Sequence, residues 1–576
     1  MKHLAWQIGL LALAGRLSLG QPIVSNDGTG IVNAASYAAQ DLPSSPIAQG
    51  SIFTIFGSGL GPAVGVRASA FPLVISFHDV SISISQGATT VAAIPLYVSA
   101  TQINAVMPSD APIGLDTIVV TFDGKSSSLC GSCPSANIQV IPAGFGIFTI
   151  NQAGNGQGVF TTGEDRPIAY TFPAAPGDVL NIWGTGLGAI QGSDTEPPVA
   201  GNIGSETPTV YVGGIQVPAG YHGRSPCCSG VDQIQFRVPP GVVGCNIPVA
   251  VQIGNVVSNF ASIAIGADGE TCSDPSGIST LDFSRFAARG SIASGYIGLS
   301  RLIYSQVQTE TFFPFSTGTV TTTEDYGYAN FEKYPYANFS LTELPLQILN
   351  FGACSVYTFN PVHTSYGPPF QVATPAINAV PGNALDAGGA IVIDGPSGQR
   401  QITPVAPPFP ASVGNYGANL GDSPGSTPLY LTSGAYNITG KGGKEVGPFS
   451  VSIQMPEQLT WNNQSSVNTI TRANGVAVTW TAADPNSYIV ISGASLSASG
   501  AGFNCTAKAA DGQFTVPAIV LLALPPSAVN ESDGIDTSDA SLQVGIVTAP
   551  VMFTASGLDF GEAVSSISIS QSVTYK

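Results

Sequence analysis

One stretch of the chain has the spacing of a catalytic serine. Gly421-Asp422-Ser423-Pro424-Gly425 matches Gly-x-Ser-x-Gly, a motif in which a strand before the serine and a helix after it expose the hydroxyl as a nucleophile. Its surroundings here are rich in proline and glycine, and Pro424 obstructs a helical turn. We therefore interpret the match as a loop and predict no catalytic residue from it.

The histidines and the paired cysteines do not predict a metal site. Beyond the first 20 residues the chain keeps His78, His222 and His363, and none of them has a second histidine nearby. Cys130 and Cys133 form a Cys-x-x-Cys pair, but zinc sites need two further ligands at suitable spacing. We expect no metal and no cofactor.

Aromatic residues gather with acids and amides in one segment before residue 340. Tyrosines stand at 326, 328, 334 and 336 among Asn330, Glu332 and other polar residues, in what reads as a loop. Aromatic rings offer flat faces on which sugars or peptides stack, and amides and acids bond hydroxyl groups. The predicted binding residues are Tyr326, Tyr328, Tyr334, Tyr336, Trp461 and Trp480, with burial in a core as the other interpretation.

An enzyme is the alternative. Carboxylates from distant strands, for example among Asp325, Glu332 and Asp484, could perform acid and base work on a glycosidic bond without leaving a local motif. That alternative is a secreted, glycosidase-like hydrolase with its active site in residues 276–576.

A duplicated turn indicates how the first half of the chain is organised. GSIFTIFGSGLGP begins at Gly50 and GDVLNIWGTGLGA begins at Gly177, so a short apolar strand ends twice in Gly-x-Gly-Leu-Gly. A dinucleotide loop has the pattern Gly-x-Gly-x-x-Gly and is followed by a helix. Neither copy has a glycine at the sixth position or a helix after the turn, so both predict tight turns rather than phosphate sites. The duplication also includes Gln102-Ile103 and Gln233-Ile234 downstream.

Each copy has the pattern of an all-β module. Short alternating runs are separated by Gly, Pro, Asn and Asp, and helical periodicity is absent. The order of strand, glycine turn, Gln-Ile strand and Val-rich hairpin resembles immunoglobulin-like domains of the IPT/TIG (E-set) type. With Asn33-Ala34-Ala35 ahead of copy one and Asn259 late in copy two, residues 30–268 resemble a duplicated extracellular domain family of acidobacterial soil bacteria that has no assigned activity.

The predicted domains are a signal peptide at 1–20, sandwich copies at 28–142 and 143–268, and a β-rich region at 276–576. A Pro/Gly/Ser-rich stretch at 404–428 divides this last region or forms a long loop in it. A hairpin is expected around residues 390–403. Further strands of a sandwich are expected at 449–455, 476–481, 488–492, 518–524, 541–553 and 565–575, and 280–294 reads as either a helix or a loop.

Eight cysteines in an exported chain predict disulfides, although eight allow 105 connectivities. The immunoglobulin-like resemblance implies Cys245–Cys272, because it places the two at one end of copy two. Cys130 and Cys133 can close a small loop. Cys227 and Cys228 either bond to each other or compete for those partners, and Cys354–Cys505 follows by elimination.

Composition favours export and excludes nucleic-acid binding. Charged residues make up 9% of the chain, against about 25% in ordinary soluble domains, and the net charge is −18. Such acidity repels a phosphate backbone. No run after the N-terminal apolar segment is long enough to span a membrane. We expect a secreted or cell-surface, non-enzymatic protein for adhesion, carbohydrate contact or envelope structure, with a carbohydrate or cell-envelope polymer as the partner.

Overall fold

The structure is a computed structural model of the whole chain. It describes residues 21–25, 28–127, 137–204, 206–308, 318–341, 349–359, 382–405, 414–496, 499–527, 529–530, 537–538 and 540–576. Cys130, Cys133, His363 and the expected signal peptide lie outside these residues.

The first part of the chain forms two facing sheets around one core. The strands are β1 Ile23–Val24, β2 Ile31–Asn33, β3 Ile47–Ala48, β4 Ile52–Ser58, β5 Val66–Arg67, β6 Ser76–Phe77, β7 Val80–Gln86, β8 Thr89–Ala92, β9 Ile94–Val98, β10 Gln102–Val106, β11 Gly114–Phe122, β12 Lys125–Ser126 and β13 Asn137–Ile141. One sheet runs β1-β4-β10-β9-β5 with β2 beside β4. The other runs β3-β13-β11-β7-β6 with β8 and β12 attached.

The second part repeats this arrangement. Its strands are β14 Gly146–Ile147, β15 Phe160–Thr162, β16 Val179–Thr185, β17 Gly201–Asn202, β18 Thr209–Val212, β19 Ile215–Pro218, β20 His222–Arg224, β21 Asp232–Arg237, β22 Gly244–Ile253, β23 Val256–Val257 and β24 Ala261–Ile265. The sheets run β14-β16-β21-β20-β17, with β15 beside β16, and β19-β18-β22-β23, with β24 beside β22. In both parts the strand before the glycine turn pairs with the Gln-Ile strand, β4 with β10 and β16 with β21.

The third part contains both α-helices of the described residues and a large sheet. The elements up to residue 455 are α1 Thr280–Arg289, β25 Ser291–Gln308, β26 Gly318–Pro335, β27 Cys354–Phe359, β28 Asn383–Ala384, β29 Ile391–Gly395, β30 Gly398–Pro404, β31 Asn415–Ser423, β32 Gly434–Gly440 and β33 Phe449–Met455. The remainder are β34 Thr460–Trp461, β35 Thr469–Ile470, β36 Val476–Thr481, β37 Tyr488–Leu496, β38 Gly500–Lys508, β39 Gln513–Val516, α2 Ala518–Leu522, β40 Val529–Asn530, β41 Thr537–Ser538, β42 Ala540–Val547, β43 Val551–Phe553, β44 Phe560–Ser572 and β45 Thr574–Tyr575.

The large sheet runs β27-β38-β37-β42-β44-β25-β26-β31-β30-β29-β32-β33. All of its neighbouring strands are antiparallel except β25 and β44, which are parallel. Apolar side chains from both ends of this order share one core cluster, and Phe449 of β33 lies 5.3 Å from Phe553 of β43 between ring centroids. The sheet therefore folds back on itself around that core.

Alternation explains why these residues form strands. In β32, Tyr436 and Ile438 are buried while Asn437 and Thr439 are exposed, and β33 repeats the same pattern. A period of two places alternate residues of a strand on the core side, and here these are the large apolar ones. Burying one such side chain contributes about 1.5–3 kcal/mol.

Several sequence expectations are confirmed and two need correction. The hairpin at 390–403 forms as β29 and β30, and the strands expected at 449–455 and 476–481 form as β33 and β36. Residues 518–524 contain the helix α2 rather than a strand, because a short apolar run after a proline has no decisive period. The expected tyrosine loop is the long strand β26, which pairs with β25 over its whole length.

The two glycine turns are held differently. In copy two the backbone N–H groups of Gly186 and Leu187 both donate to Asp232 Oδ2 at 2.8 Å. In copy one the Leu60 N–H donates to the carbonyl oxygen of Ala100 at 3.0 Å instead. Gly186 has φ +114° and Gly59 has φ +64°, so both turns need glycine at these positions for their backbone conformation.

Buried polar contacts connect the first two sandwiches. Thr185 Oγ1 accepts from the Ile52 N–H at 2.7 Å and donates to the Gly230 carbonyl at 2.6 Å. Arg224 pairs with Asp232 at 3.0 Å and donates to the Gly50 carbonyl at 3.1 Å. These contacts fix the orientation of the copies at their junction.

Three disulfides lie within the described residues. Cys245–Cys272 and Cys354–Cys505 agree with the expected pairs, and Cys227 bonds to Cys228. Cys354 and Cys505 are direct cross-strand partners of β27 and β38. The bond therefore joins strands 151 residues apart in sequence.

Candidate functional site

The candidate site is one face of β26 and its neighbours, opposite the large core. Odd-numbered residues of β26, such as Ala329 and Phe331, are buried in the core. Even-numbered residues Tyr326, Tyr328, Asn330 and Glu332 point to the other side and are half-buried. We call these four residues, with Asn415 and Asn419 of β31, the tyrosine strip.

Tyr328 has a glycine as its register partner on each side. Its ring covers Gly298 of β25, where an added Cβ would collide with the ring, and its other neighbour in register is Gly417 of β31. Its hydroxyl donates to Tyr296 Oη at 3.3 Å, and burial raises its pKa to about 12. The small neighbours leave the ring lying along the sheet, with its hydroxyl neutral at physiological pH.

A row of amide and carboxylate groups follows the tyrosines. Asn330 Nδ2 donates to Glu332 Oε1 at 3.0 Å and to Asn415 Oδ1 at 2.5 Å. Glu332 also accepts from the Tyr334 hydroxyl. Asn419 is the register partner of Tyr326 and is exposed. The strip thus combines aromatic rings with groups that bond hydroxyls.

Two buried carboxyl groups lie beside the strip. Glu562 of β44 is the register partner of Tyr296, and Tyr296 is the partner of Asn330. Burial raises the pKa of Glu562, and it raises the pKa of Asp274 to about 7, with the nearby Glu562 carboxylate as the second cause. Sequence reasoning missed Glu562 and Tyr296, because only the pairing of distant strands places them here.

The predicted tryptophan platforms are wrong. Trp461 and Trp480 are register partners on β34 and β36 and are 4% and 2% exposed. Trp480 Nε1 donates to the Ala509 carbonyl at 2.9 Å, and Trp461 Nε1 donates to Asn463 Oδ1 at 3.0 Å. Both rings pack in the large core and offer no outer face to a ligand.

The four tyrosines do not form one group. Tyr334 is 8% exposed and packs against Phe339, with a centroid distance of 5.6 Å, in a cluster that includes α1. Tyr336 is half-buried against the same cluster, and burial raises its pKa. Tyr326 and Tyr328 alone share the half-buried part of the face, so we retain these two as binding candidates.

The carboxylates considered for hydrolysis are not brought together. Asp325 is on the core side of β26, where it accepts from Arg301 Nε at 2.7 Å and from the N–H groups of Tyr430 and Leu431. Glu332 is seven residues further along the same strand on the other face, about 23 Å away at the usual rise. Glycosidase carboxyl pairs lie about 5–10 Å apart. Asp484 holds a turn through the Asn486 N–H at 3.0 Å.

The remaining motifs do not form a catalytic or metal-binding site in the described residues. Ser423 ends strand β31 and is exposed, with a cis peptide bond to Pro424 and no helix after it. Within the described ranges, no three His, Cys, Asp or Glu side chains are placed to hold a metal ion. The described part of the chain likewise has no helix that is long and apolar enough to cross a membrane.

Comparisons with known proteins report distant likenesses. No protein family matches the chain, and no curated protein does. Similar solved structures include the extracellular region of plexin A4 (15% identity, 44% of this chain and 19% of that chain, TM-score 0.16). Another is SGBP-B of the Bacteroides ovatus mixed-linkage glucan utilization locus in complex with a mixed-linkage heptasaccharide (12% identity, 48% of this chain and 67% of that chain, TM-score 0.20). A third is domains 5-6 of the S-layer protein SbsC (11% identity, 42% of this chain and 98% of that chain, TM-score 0.14).

The chain spans about a fifth of the plexin A4 chain. Similarities at these TM-scores add nothing to what the strands themselves show. From its own sheets, the chain is an all-β protein of tandem sandwiches followed by a further, larger β-structure.

Proposed function

We propose that this chain is a non-enzymatic extracellular protein that binds polysaccharide through the tyrosine strip. The observation that supports this proposal most directly is the composition of the strip. Tyr326 and Tyr328 supply rings on the same face of one strand, and Asn330, Glu332 and Asn415 continue that face with amide and carboxylate groups. Sugars present apolar ring faces and hydroxyl edges, which match these two kinds of group.

Export is supported by the disulfides and the surface composition. Disulfides persist in oxidising compartments, and three of them lie in the described part of the chain. The predicted signal peptide at 1–20 and membership of the IPT/TIG-like duplicated family belong to this proposal as well. Adhesion or envelope attachment is the role that such a binding protein would serve.

The tandem copies at 28–142 and 143–268 would act as a spacer. Ser109 donates its N–H and hydroxyl to Asp194 at 2.8 and 2.9 Å, which adds a second link to the junction made by Thr185 and Arg224. A junction with several buried hydrogen bonds holds one orientation. The two copies would therefore hold the third part at a fixed distance from the surface to which copy one is attached.

Binding of the purified chain to an array of plant, fungal and bacterial polysaccharides tests the proposal. We expect at least one glycan to bind, and we expect Tyr326→Ala combined with Asn330→Ala to weaken that binding at least tenfold. Tyr97→Ala, which removes a half-buried ring from β9 in copy one, is the matched control and should bind as the wild type does.

Two results would contradict the proposal. One is the absence of binding to any polysaccharide by a chain whose circular dichroism shows folded β-structure. The other is release of soluble sugars from a bound polymer, because that result would indicate the hydrolase alternative instead.

A further inference from the structure

A chemically labile peptide bond lies between copy two and the third part. The sequence contains two Asp–Pro bonds, Asp274–Pro275 and Asp484–Pro485. Such a bond can be cut by its own side chain, because the aspartate carboxylate can close a five-membered anhydride ring on the carbonyl carbon of the same residue. The competing route through a succinimide needs a backbone N–H on the next residue, and proline has none. The surroundings of each bond decide how fast the cut proceeds.

The backbone at Asp274 forms a tight turn around the bond to Pro275. The Gly277 N–H donates to the Asp274 carbonyl oxygen at 3.0 Å, and the Ile278 N–H donates to Asp274 Oδ1 at 2.8 Å. The first contact polarises the carbonyl that would be attacked and would stabilise the oxyanion that forms on it. The second contact turns the carboxyl group forward along the chain, towards the peptide bonds that follow it.

Glu562 of β44 adds a second carboxyl group beside this turn. It is 3% exposed, and its Oε1 has no hydrogen-bond partner within the described residues. Burial raises the pKa of Glu562, and a hydrogen bond from the Ser276 side chain partly offsets this effect. Ser276 directly follows Pro275, so Glu562 lies close to the residue whose nitrogen must leave. A buried, protonated carboxyl group can give that nitrogen a proton.

The two acids share a proton near neutral pH. Burial and then the Glu562 carboxylate raise the pKa of Asp274 to about 7. Tyr296, the register partner of Glu562, is neutral because burial raises its pKa well above the ordinary value. Other charged side chains of the neighbouring elements have contacts of their own or are exposed: Asp282 with Arg285 and Arg289 with Asp559 at α1, Glu332 with Asn330 on β26, and Asp268 and Glu270 in the loop before Cys272.

We propose that the chain cuts its own Asp274–Pro275 bond and thereby separates the tandem copies from the third part. A carboxylate oxygen of Asp274 attacks the Asp274 carbonyl carbon, and the bond from that carbon to the Pro275 nitrogen breaks as Glu562 protonates the nitrogen. This step leaves a cyclic anhydride on Asp274 and a secondary amine on Pro275. Water then opens the anhydride to two carboxyl groups, one of which returns a proton to Glu562. The net reaction is hydrolysis of one peptide bond, and it does not depend on the proposed function.

The second Asp–Pro bond is an internal control. Asp484 and Pro485 are exposed. The Asn486 N–H at 3.0 Å and the Ser487 hydroxyl at 2.7 Å both donate to the Asp484 carboxylate and lower its pKa. A carboxylate that is solvated and hydrogen-bonded in this way is a weaker nucleophile than one in a buried site. We therefore expect the bond at Asp484 to be cut at least tenfold more slowly.

Incubation of the purified full chain from pH 4 to pH 9, with protease inhibitors present, tests the inference. Denaturing electrophoresis and mass spectrometry would identify the fragments. We expect one fragment ending at Asp274 and one beginning at Pro275. The rate should have a maximum in pH, because the reaction needs Asp274 ionised and Glu562 protonated. Wild type unfolded in urea should lose the preference for Asp274–Pro275 over Asp484–Pro485.

Variants separate the two acids. Asp274→Asn, which can keep the bond to the Ile278 N–H, should abolish the fragments. Glu562→Gln should slow the cut at least tenfold and remove the fall in rate at high pH. Glu324→Gln, on a half-buried acid of β26, is the matched control and should cut as the wild type does. Circular dichroism would verify that each variant is folded.

Three results would overturn the inference. One is a folded wild-type chain that stays intact at every pH. Another is equal cutting at the two Asp–Pro bonds, or cutting only in urea, since either result would show general lability of the dipeptide. The third is an unchanged rate and pH profile in Glu562→Gln, because the leaving nitrogen would then take its proton from elsewhere.

Discussion

Asp274 and Glu562 are neighbouring buried acids whose protonation should influence stability. Both have a raised pKa because of burial, and Asp274, at about 7, also lies near the Glu562 carboxylate. Asp274 Oδ1 accepts from the Ile278 N–H at 2.8 Å, a bond that an asparagine oxygen could keep. Charge at this position therefore opposes folding.

The pH dependence follows from the sign of the Asp274 shift. The pKa is raised in the folded chain from an ordinary 3.8, so the stabilising contribution is complete below about pH 4 and is lost as the pH rises through 7. Between pH 5 and pH 8 we expect the ionisation of Asp274 to lower the free energy of unfolding of the wild type by about 2–4 kcal/mol. Urea unfolding at the two pH values would measure this loss. Asp274→Asn should remove most of that loss, whereas the exposed Asp165→Asn should not. Equal pH slopes for wild type and Asp274→Asn would contradict the assignment.

Arg224 is the residue on which the junction of the sandwiches depends most. It is 2% exposed, pairs with the fully buried Asp232, and bonds the Gly50 carbonyl of the neighbouring copy. Arg224→Met should cost about 3–5 kcal/mol, because it leaves the Asp232 carboxylate buried without its cation. Differential scanning calorimetry would measure this loss. Arg237→Met, on an exposed arginine of β21, is the control and should change stability little.

At the scale of elements, the long hairpin β25–β26 depends on close packing of a tyrosine over a glycine. Gly298 has no side chain, and the Tyr328 ring occupies the space that a Cβ would need. Gly298→Ala should destabilise the protein by about 1–3 kcal/mol through overpacking. Gly298→Ala with Tyr328→Leu should recover part of this loss in chemical unfolding. If Gly298→Ala alone is neutral, the ring does not lie across the glycine.

Strands with regular alternation could be predicted from sequence, and those stabilised mainly by their neighbours could not. Tyr436 and Ile438 alternate with Asn437 and Thr439, so the amino-acid sequence itself predicts strand β32. Strand β31 lies inside the Pro/Gly-rich stretch at 404–428 and contains Gly417 and Gly421, which weaken the strand signal. Its pairing between β26 and β30 outweighs that low propensity.

The sequence predicts only those residues of the candidate site that lie close together along the chain. Tyr326 and Tyr328 attract notice by their type and neighbourhood. Asn415, Tyr296 and Glu562 come from β31, β25 and β44, so only the register of the sheet places them in the row. Trp461 and Trp480 were predicted as binding residues but are buried. An aromatic residue type alone does not distinguish a ligand-binding ring from a core residue.

At the scale of the whole molecule, the disulfides should differ greatly in their effect. Cys354–Cys505 closes a separation of 151 residues, whereas Cys227–Cys228 joins neighbours and is exposed. A bond across a long loop restricts the unfolded chain far more. We expect Cys354→Ser/Cys505→Ser to lose about 2–5 kcal/mol of stability and Cys227→Ser/Cys228→Ser to lose less than about 1 kcal/mol. Thermal melts of both double variants test this ranking, and equal losses would contradict it.

The parallel pairing of β25 with β44 has a consequence for how the chain is made. The Ala293 N–H at the start of β25 donates to Asp559, 266 residues later, and β44 fills the position between β25 and β42. Until β44 leaves the ribosome, the third part has two unpaired strand edges and cannot complete its core. Chains stalled before residue 560 should therefore be cut rapidly by protease in the third part, while copies one and two are already resistant. The third part therefore closes last, only after β44 has been made.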